Sequence, residues 1–124
     1  MMEQPANPWG SCFDAAAHNA LGNLDLDGLT VCHGIGIANR PGQEGWKIAH
    51  AWLEFDHPDG KAAIDPLWLV AQRADNYRSN LKVELVVEYS VANFLTLWTL
   101  HDFPGPWDDR IKKFTTEGRA VGAA

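Results

Sequence analysis

"WKIAHAWLEFDHPDGKAAIDP", residues 46–66, is the stretch on which the fold turns. At its centre His57-Pro58-Asp59-Gly60 reads as a tight turn, because Pro presets φ, Asp bonds neighbouring backbone and Gly accepts positive φ. On one side, Ala49, Ala51, Leu53 and Phe55 alternate along a strand over 46–56. On the other, 61–65 forms a short partner strand, ended by Pro66, which has no N–H for a ladder. A hairpin through this turn sets Asp56 opposite Lys61 and Trp52 opposite Asp65. His50, two residues from Trp52, then shares a face with Asp65, as a diagonal neighbour about 7–8 Å away at Cα. A slip of one residue would put the two on opposite faces. In the expected register, Asp65 fixes the tautomer of His50 and favours its imidazolium. Glu54 lies on the same face and is the competing partner.

A second stretch, "NPWGSCFDAAAHNAL" (7–21), precedes the hairpin. Pro5, Pro8 and Gly10 make residues 1–9 an irregular lead-in. Ser11 is placed to cap a helix, with Asp14 three residues on and an alanine-rich run up to Gly22 as the stop. Cys12 then occupies the first helical position. A thiolate is stabilised there by unpaired backbone N–H groups and the helix dipole. The Cys12 N–H would also be available to an oxyanion. A small, buried filler is the other reading of such a cysteine.

The rest of the chain supplies further strands at 29–38 and 82–89, with a loop over 39–45. Residues 66–80 read as a helical turn followed by a loop. A helix is expected over 90–103, capped by Ser90, and a short one over 107–115, before a fraying tail at 117–124. The sum is one α+β domain over residues 1–124, an N-terminal helix packed on a small antiparallel sheet with helices at the C-terminus.

Composition narrows the function classes. The chain has 124 residues and a net charge of −6, with 10 Lys and Arg against 16 Asp and Glu and no basic block. Nucleic acid is therefore a poor partner. No apolar run approaches the roughly 20 residues of a membrane span, and "MMEQPANPWG" lacks the basic start and apolar core of a signal peptide, so a cytoplasmic setting is expected. Two cysteines, Cys12 and Cys32, suit a reducing compartment, with a Cys12–Cys32 disulfide as the alternative. There is no CxxC pair and no H-x-x-x-H spacing among the five His, so no metal and no cofactor are expected. Cys32 and His33 point to opposite faces of a strand, and Cys32 is expected in the core. His18 is expected at the surface, His57 in a turn and His101 at a helix end. Of six Trp, Trp9, Trp46 or Trp68 could wall a cleft for an extended peptide, while Trp52 and Trp68 flank His50 and Asp65. Core filling is the alternative for all of them.

Taken in order, "GSCFDAAAHNAL", "HAWLEF" and "AIDP" resemble the core of transglutaminase-like thiol enzymes, part of the broader papain-like group. The Gly-Ser-Cys-aromatic opening is also similar to the papain active-site helix. The resemblance covers residues 8 to 68. It implies a Cys12 nucleophile, a His50 proton shuttle and an Asp65 orienting group, acting through an acyl-thioester on a peptide or protein amide. In papain-like peptidases a Gln side chain ahead of the Cys donates to the oxyanion. The corresponding position is Ala6, with Asn7 and Gln4 as neighbouring donors and Glu54 in support. Trp9, Trp52 and Trp68 are the implied substrate contacts. Release to water is favoured, as nothing marks an amine-acceptor site, and small transglutaminase-like leader peptidases are a model of similar size. The rival is a non-catalytic binding or inhibitor protein that keeps the fold. An acyltransferase using a thioester cofactor would need a groove for which no motif is present. The oligomeric state is left open.

Overall fold

The HPDG turn closes a hairpin in the register that the alternation requires. In the computed structural model, which describes residues 8–37 and 44–114 and side chains from Cys12 onward, strand β2 (Lys47–His57) pairs with β3 (Gly60–Asp65). Asp56 faces Lys61, and Leu53 faces Ile64. Strand β1 (Thr30–Ile37) lies antiparallel on the other side of β2, and β4 (Val70–Arg73) and β5 (Leu85–Ser90) form the edges. The result is a five-stranded, wholly antiparallel sheet in the order β4-β3-β2-β1-β5.

Apolar faces of the strands decide the layers. Val31, Ile35, Ala49, Ala51 and Leu53 pack against Phe13, Ala16, Ala17 and Ala20 of α1 (Pro8–Leu21), together with Phe94 of α3 (Val91–His101) and Ile111 of α4 (Asp109–Lys112). The other face buries Cys32, Trp52 and Ala63 under α2 (Ala74–Leu81). Gly34 makes room for that second layer. A Cβ there would stand 2.9 Å from the Trp52 ring and 2.7 Å from the Leu85 carbonyl oxygen. The domain is thus a small α+β fold with helices on both faces of the sheet.

Three expectations are corrected. Helix α1 starts at Pro8, so residues 8 and 9 are helical rather than part of a lead-in, and Ser11 is inside the helix. Proline suits the first helical position, where its missing N–H would have had no acceptor. Residues 66–80 hold a strand and a helix, β4 and α2, where a helical turn and a loop were expected; Ala74, Tyr77 and Leu81 supply the buried stripe of α2. The last helix covers only Asp109–Lys112, capped by the Asp108 side chain, which accepts from the Arg110 N–H. The helix over 90–103 is present as α3, with the Ser90 hydroxyl accepting from Asn93 N–H at 3.2 Å. The loop expected at 39–45 lies mostly outside the described residues, and the tail at 117–124 wholly so. Among the described residues no helix is long and apolar enough to cross a membrane.

Candidate active site

The hairpin register places His50 and Asp65 together as expected. His50 Nε2 and Asp65 Oδ2 are 2.6 Å apart, and both side chains are fully buried. Asp65 is the last residue of β3, where the chain turns through Pro66 to Leu69 into β4. That turn folds back on the carboxylate: the Trp68 backbone N–H donates to Asp65 Oδ1 at 3.0 Å. From α2, the Tyr77 hydroxyl donates to Asp65 Oδ2 at 2.5 Å. Burial alone would raise the Asp65 pKa, but these hydrogen bonds and the charge of His50 hold it below the usual carboxylate range.

With Nε2 committed to Asp65, His50 has one ring nitrogen left. Nδ1 is buried and has no nitrogen or oxygen partner among the described residues. Cys12, brought from α1 more than thirty residues away in sequence, is the other group acting on this ring. Burial would depress the imidazolium. The charge of Cys12, then the hydrogen bonds to Asp65 and Cys12 and the Asp65 charge, outweigh it, and His50 is pushed up to about 10. The ring is therefore favoured as an imidazolium, with the Asp65 carboxylate on Nε2. The Trp68 indole covers one of its faces.

The helix end contributes less than its sequence suggested. Cys12 is the fifth residue of α1, not the first. In an α-helix the fifth N–H is the first to be engaged by a carbonyl four residues back. The Cys12 N–H is thus drawn into the helix ladder. Cys12 and Cys32 are not joined in a disulfide, and both are buried. At Cys32, burial, with the charge of Glu54, pushes the thiol up to about 12.

Two other expected residues have different roles. Glu54 does not support His50. It is buried, and it is held by Arg78 of α2 (Nε to Oε2 2.7 Å, Nη2 to Oε1 2.9 Å) and by the Trp52 ring N–H at 2.9 Å. Trp52, expected as a substrate contact, is fully buried and packs in the cluster under α2. Gln4 and Asn7 lie outside the described residues, as does the side chain of Trp9. Trp68 is half-buried. With Tyr77, Val70, Leu81 and Gln72 it lines a cavity of about 440 Å³ on the α2 side of the sheet. Trp46 packs with Ile48 and Trp68 beside it.

Tyr77 and Arg78 are the residues that sequence reasoning missed. Their signal is the Ala74, Tyr77, Leu81 spacing of one helix face, which places a hydroxyl toward the sheet and an arginine next to it. No protein-family model, no curated protein and no solved structure matches this chain.

Proposed function

We propose that the protein is a cysteine-dependent acyl-transfer enzyme of transglutaminase-like or papain-like type, acting on a peptide or protein amide and releasing the acyl group to water. One observation carries this reading: His50 has Asp65 on Nε2 at 2.6 Å, and Cys12 acts on the same ring. A structural histidine needs neither a cysteine partner nor a buried carboxylate with three donors.

The chemistry follows from those positions. The Cys12 thiolate attacks the amide carbonyl carbon, and a C–S bond forms. The tetrahedral intermediate collapses as His50 gives its Nδ1 proton to the departing amine, and the C–N bond breaks. Neutral His50 then takes a proton from water, whose oxygen attacks the thioester. Collapse of that intermediate returns the sulfur as thiolate beside a protonated imidazole and releases a carboxylic acid. Asp65 keeps the imidazole oriented and stabilises its charged form in both half-reactions. Trp68 and Tyr77 are shared between the His50–Asp65 pair and the neighbouring cavity, which offers a substrate a place on the α2 side of that pair.

A second reading has its own support. Cys12, His50 and Asp65 expose no surface, as befits an ion pair retained in a non-catalytic binding protein. Alkylation by iodoacetamide at pH 7, followed residue by residue by mass spectrometry, separates the two. The enzyme reading expects Cys12 to be modified while Cys32 is spared. It also expects His50→Ala to slow the Cys12 reaction, and Asp65→Asn to cut hydrolysis of peptide aminocoumarin amides on the order of 10²–10⁴-fold. Slow and equal modification of both cysteines would leave the binding protein.

A further inference from the structure

The Asp65 carboxylate carries more than its histidine. Oδ2 accepts from His50 Nε2 at 2.6 Å and from the Tyr77 hydroxyl at 2.5 Å, while Oδ1 accepts from the Trp68 N–H. The Tyr77 ring is buried, packed against Trp52 at 5.3 Å between ring centroids. Its neighbour Arg78 pins α2 to β2 through Glu54, so the hydroxyl is aimed from a helix that is itself anchored. We propose that Tyr77 is a positioning residue of this site, its hydroxyl sharing Asp65 Oδ2 with the imidazole and so limiting how tightly the carboxylate holds the His50 proton.

This inference rests on the reading of Cys12, His50 and Asp65 as one catalytic unit. Its physical basis is the division of one oxygen's charge between two donors. A carboxylate bound by the imidazolium alone would hold that proton more strongly, and His50 would give it up more slowly to a leaving amine. Burial and the Asp65 charge push the Tyr77 phenol above its ordinary range, so it stays a neutral donor at any working pH. The titratable groups acting on this cluster are Cys12 from α1, Cys32 from β1, His50 from β2 and Asp65 from β3. Glu54 and Arg78 neutralise one another nearby.

Tyr77→Phe keeps the ring and removes the donor. The test is NMR of the His50 ring, with the Nε2 proton observed at pH 7 and the titration midpoint followed by ring ¹⁵N shifts. The expected result is a downfield move of the Nε2 proton and about a tenfold gain in proton affinity, since a hydrogen bond to a charged group is worth about one pH unit. An unmoved resonance and midpoint, in a variant with the parent's amide spectrum, overturns the proposal. Should the Phe variant not fold, 3-fluorotyrosine incorporated in a Tyr89→Phe chain makes residue 77 a stronger donor. The midpoint is then expected to fall, and an unchanged or raised one overturns the proposal. The two readings fail separately. Inert Cys12 in the parent protein overturns the catalytic reading beneath this one, whereas reactive Cys12 with an unmoved His50 midpoint overturns the role of Tyr77 alone.

Discussion

The Trp68 indole lies over the His50 imidazole, with ring centroids 4.2 Å apart and planes inclined by 18°. The end of β3 and the turn that follows it therefore supply three elements of the site. Asp65 gives the carboxylate, the Trp68 backbone N–H binds it, and the Trp68 ring covers the histidine. A protonated imidazole under an indole face gains about 0.5–2 kcal/mol, more as water is excluded.

Trp68→Ala keeps the backbone donor and deletes the cover. The ring is half-buried, so a stability loss of about 1–3 kcal/mol in urea unfolding is expected. The wall between the cavity and the imidazole goes with it. Alkylation of Cys12 by a bulky maleimide should accelerate more than alkylation by iodoacetamide. If the two reagents keep their parent ratio, Trp68 is not the barrier to Cys12.

Arg78 is coupled to the site through Glu54 and α2. The Glu54 carboxylate is 1% exposed and receives two hydrogen bonds from Arg78, which also reaches Glu88 at 2.7 Å. Removing one partner of a buried pair strands the other charge, at a cost of about 3–5 kcal/mol. Arg78→Met should therefore destabilise strongly. Adding Glu54→Gln, whose neutral amide still accepts from the Trp52 ring N–H, should restore part of the loss. Additive losses in the double variant would show that the two side chains are not coupled.

The hairpin was legible because an alternation of period two and an HPDG turn are local signals, and the His50–Asp65 pairing follows from register alone. Cys12 was legible through its residue type near a helix start and through the resemblance, not through any contact the sequence could show. No local rule brings α1 across the sheet to His50. Helix α2 was missed because eight residues with three apolar positions give too short a period to stand out. With it went the burial of Trp52, the capture of Glu54 by an arginine 24 residues away, and the third donor on Asp65. The start of α1 was misplaced because Ser11 is a good cap by residue type, while Pro8 fits the first helical position equally well.

Gly34 tests the packing behind the site. It faces His50 across β1 and β2. A methyl group at position 34 would meet a backbone carbonyl that cannot swing aside and the Trp52 ring that abuts Tyr77. Gly34→Ala should cost about 1–3 kcal/mol through overpacking and shift Trp52 toward α2. A lower urea midpoint together with a changed Trp fluorescence maximum is expected. A variant as stable as the parent would mean that the two faces of this strand pair yield more easily than their spacing implies.

His33 gives a pH dependence of opposite origin to that of His50. It is fully buried in a cage of Phe13, Tyr89, Phe94 and Trp107, and neither ring nitrogen has a hydrogen-bond partner among the described residues. Burial pushes it down to about 3. An unfolded histidine takes up its proton near pH 6.5, so between about 6.5 and 3 the unfolded chain binds a proton that the folded chain refuses. Stability must therefore fall as pH drops through that window, with no contribution from His33 above it. His50, pushed up instead, is protonated in both states there and adds no slope. His33→Leu removes two buried, unpartnered nitrogens at similar volume and should stabilise the protein by about 1–3 kcal/mol at pH 7. The gain over the parent should widen toward pH 4.5 in urea unfolding. A constant difference between the two proteins across pH 7 to 4.5 would mean that His33 takes up its proton in the folded state as readily as in the unfolded one.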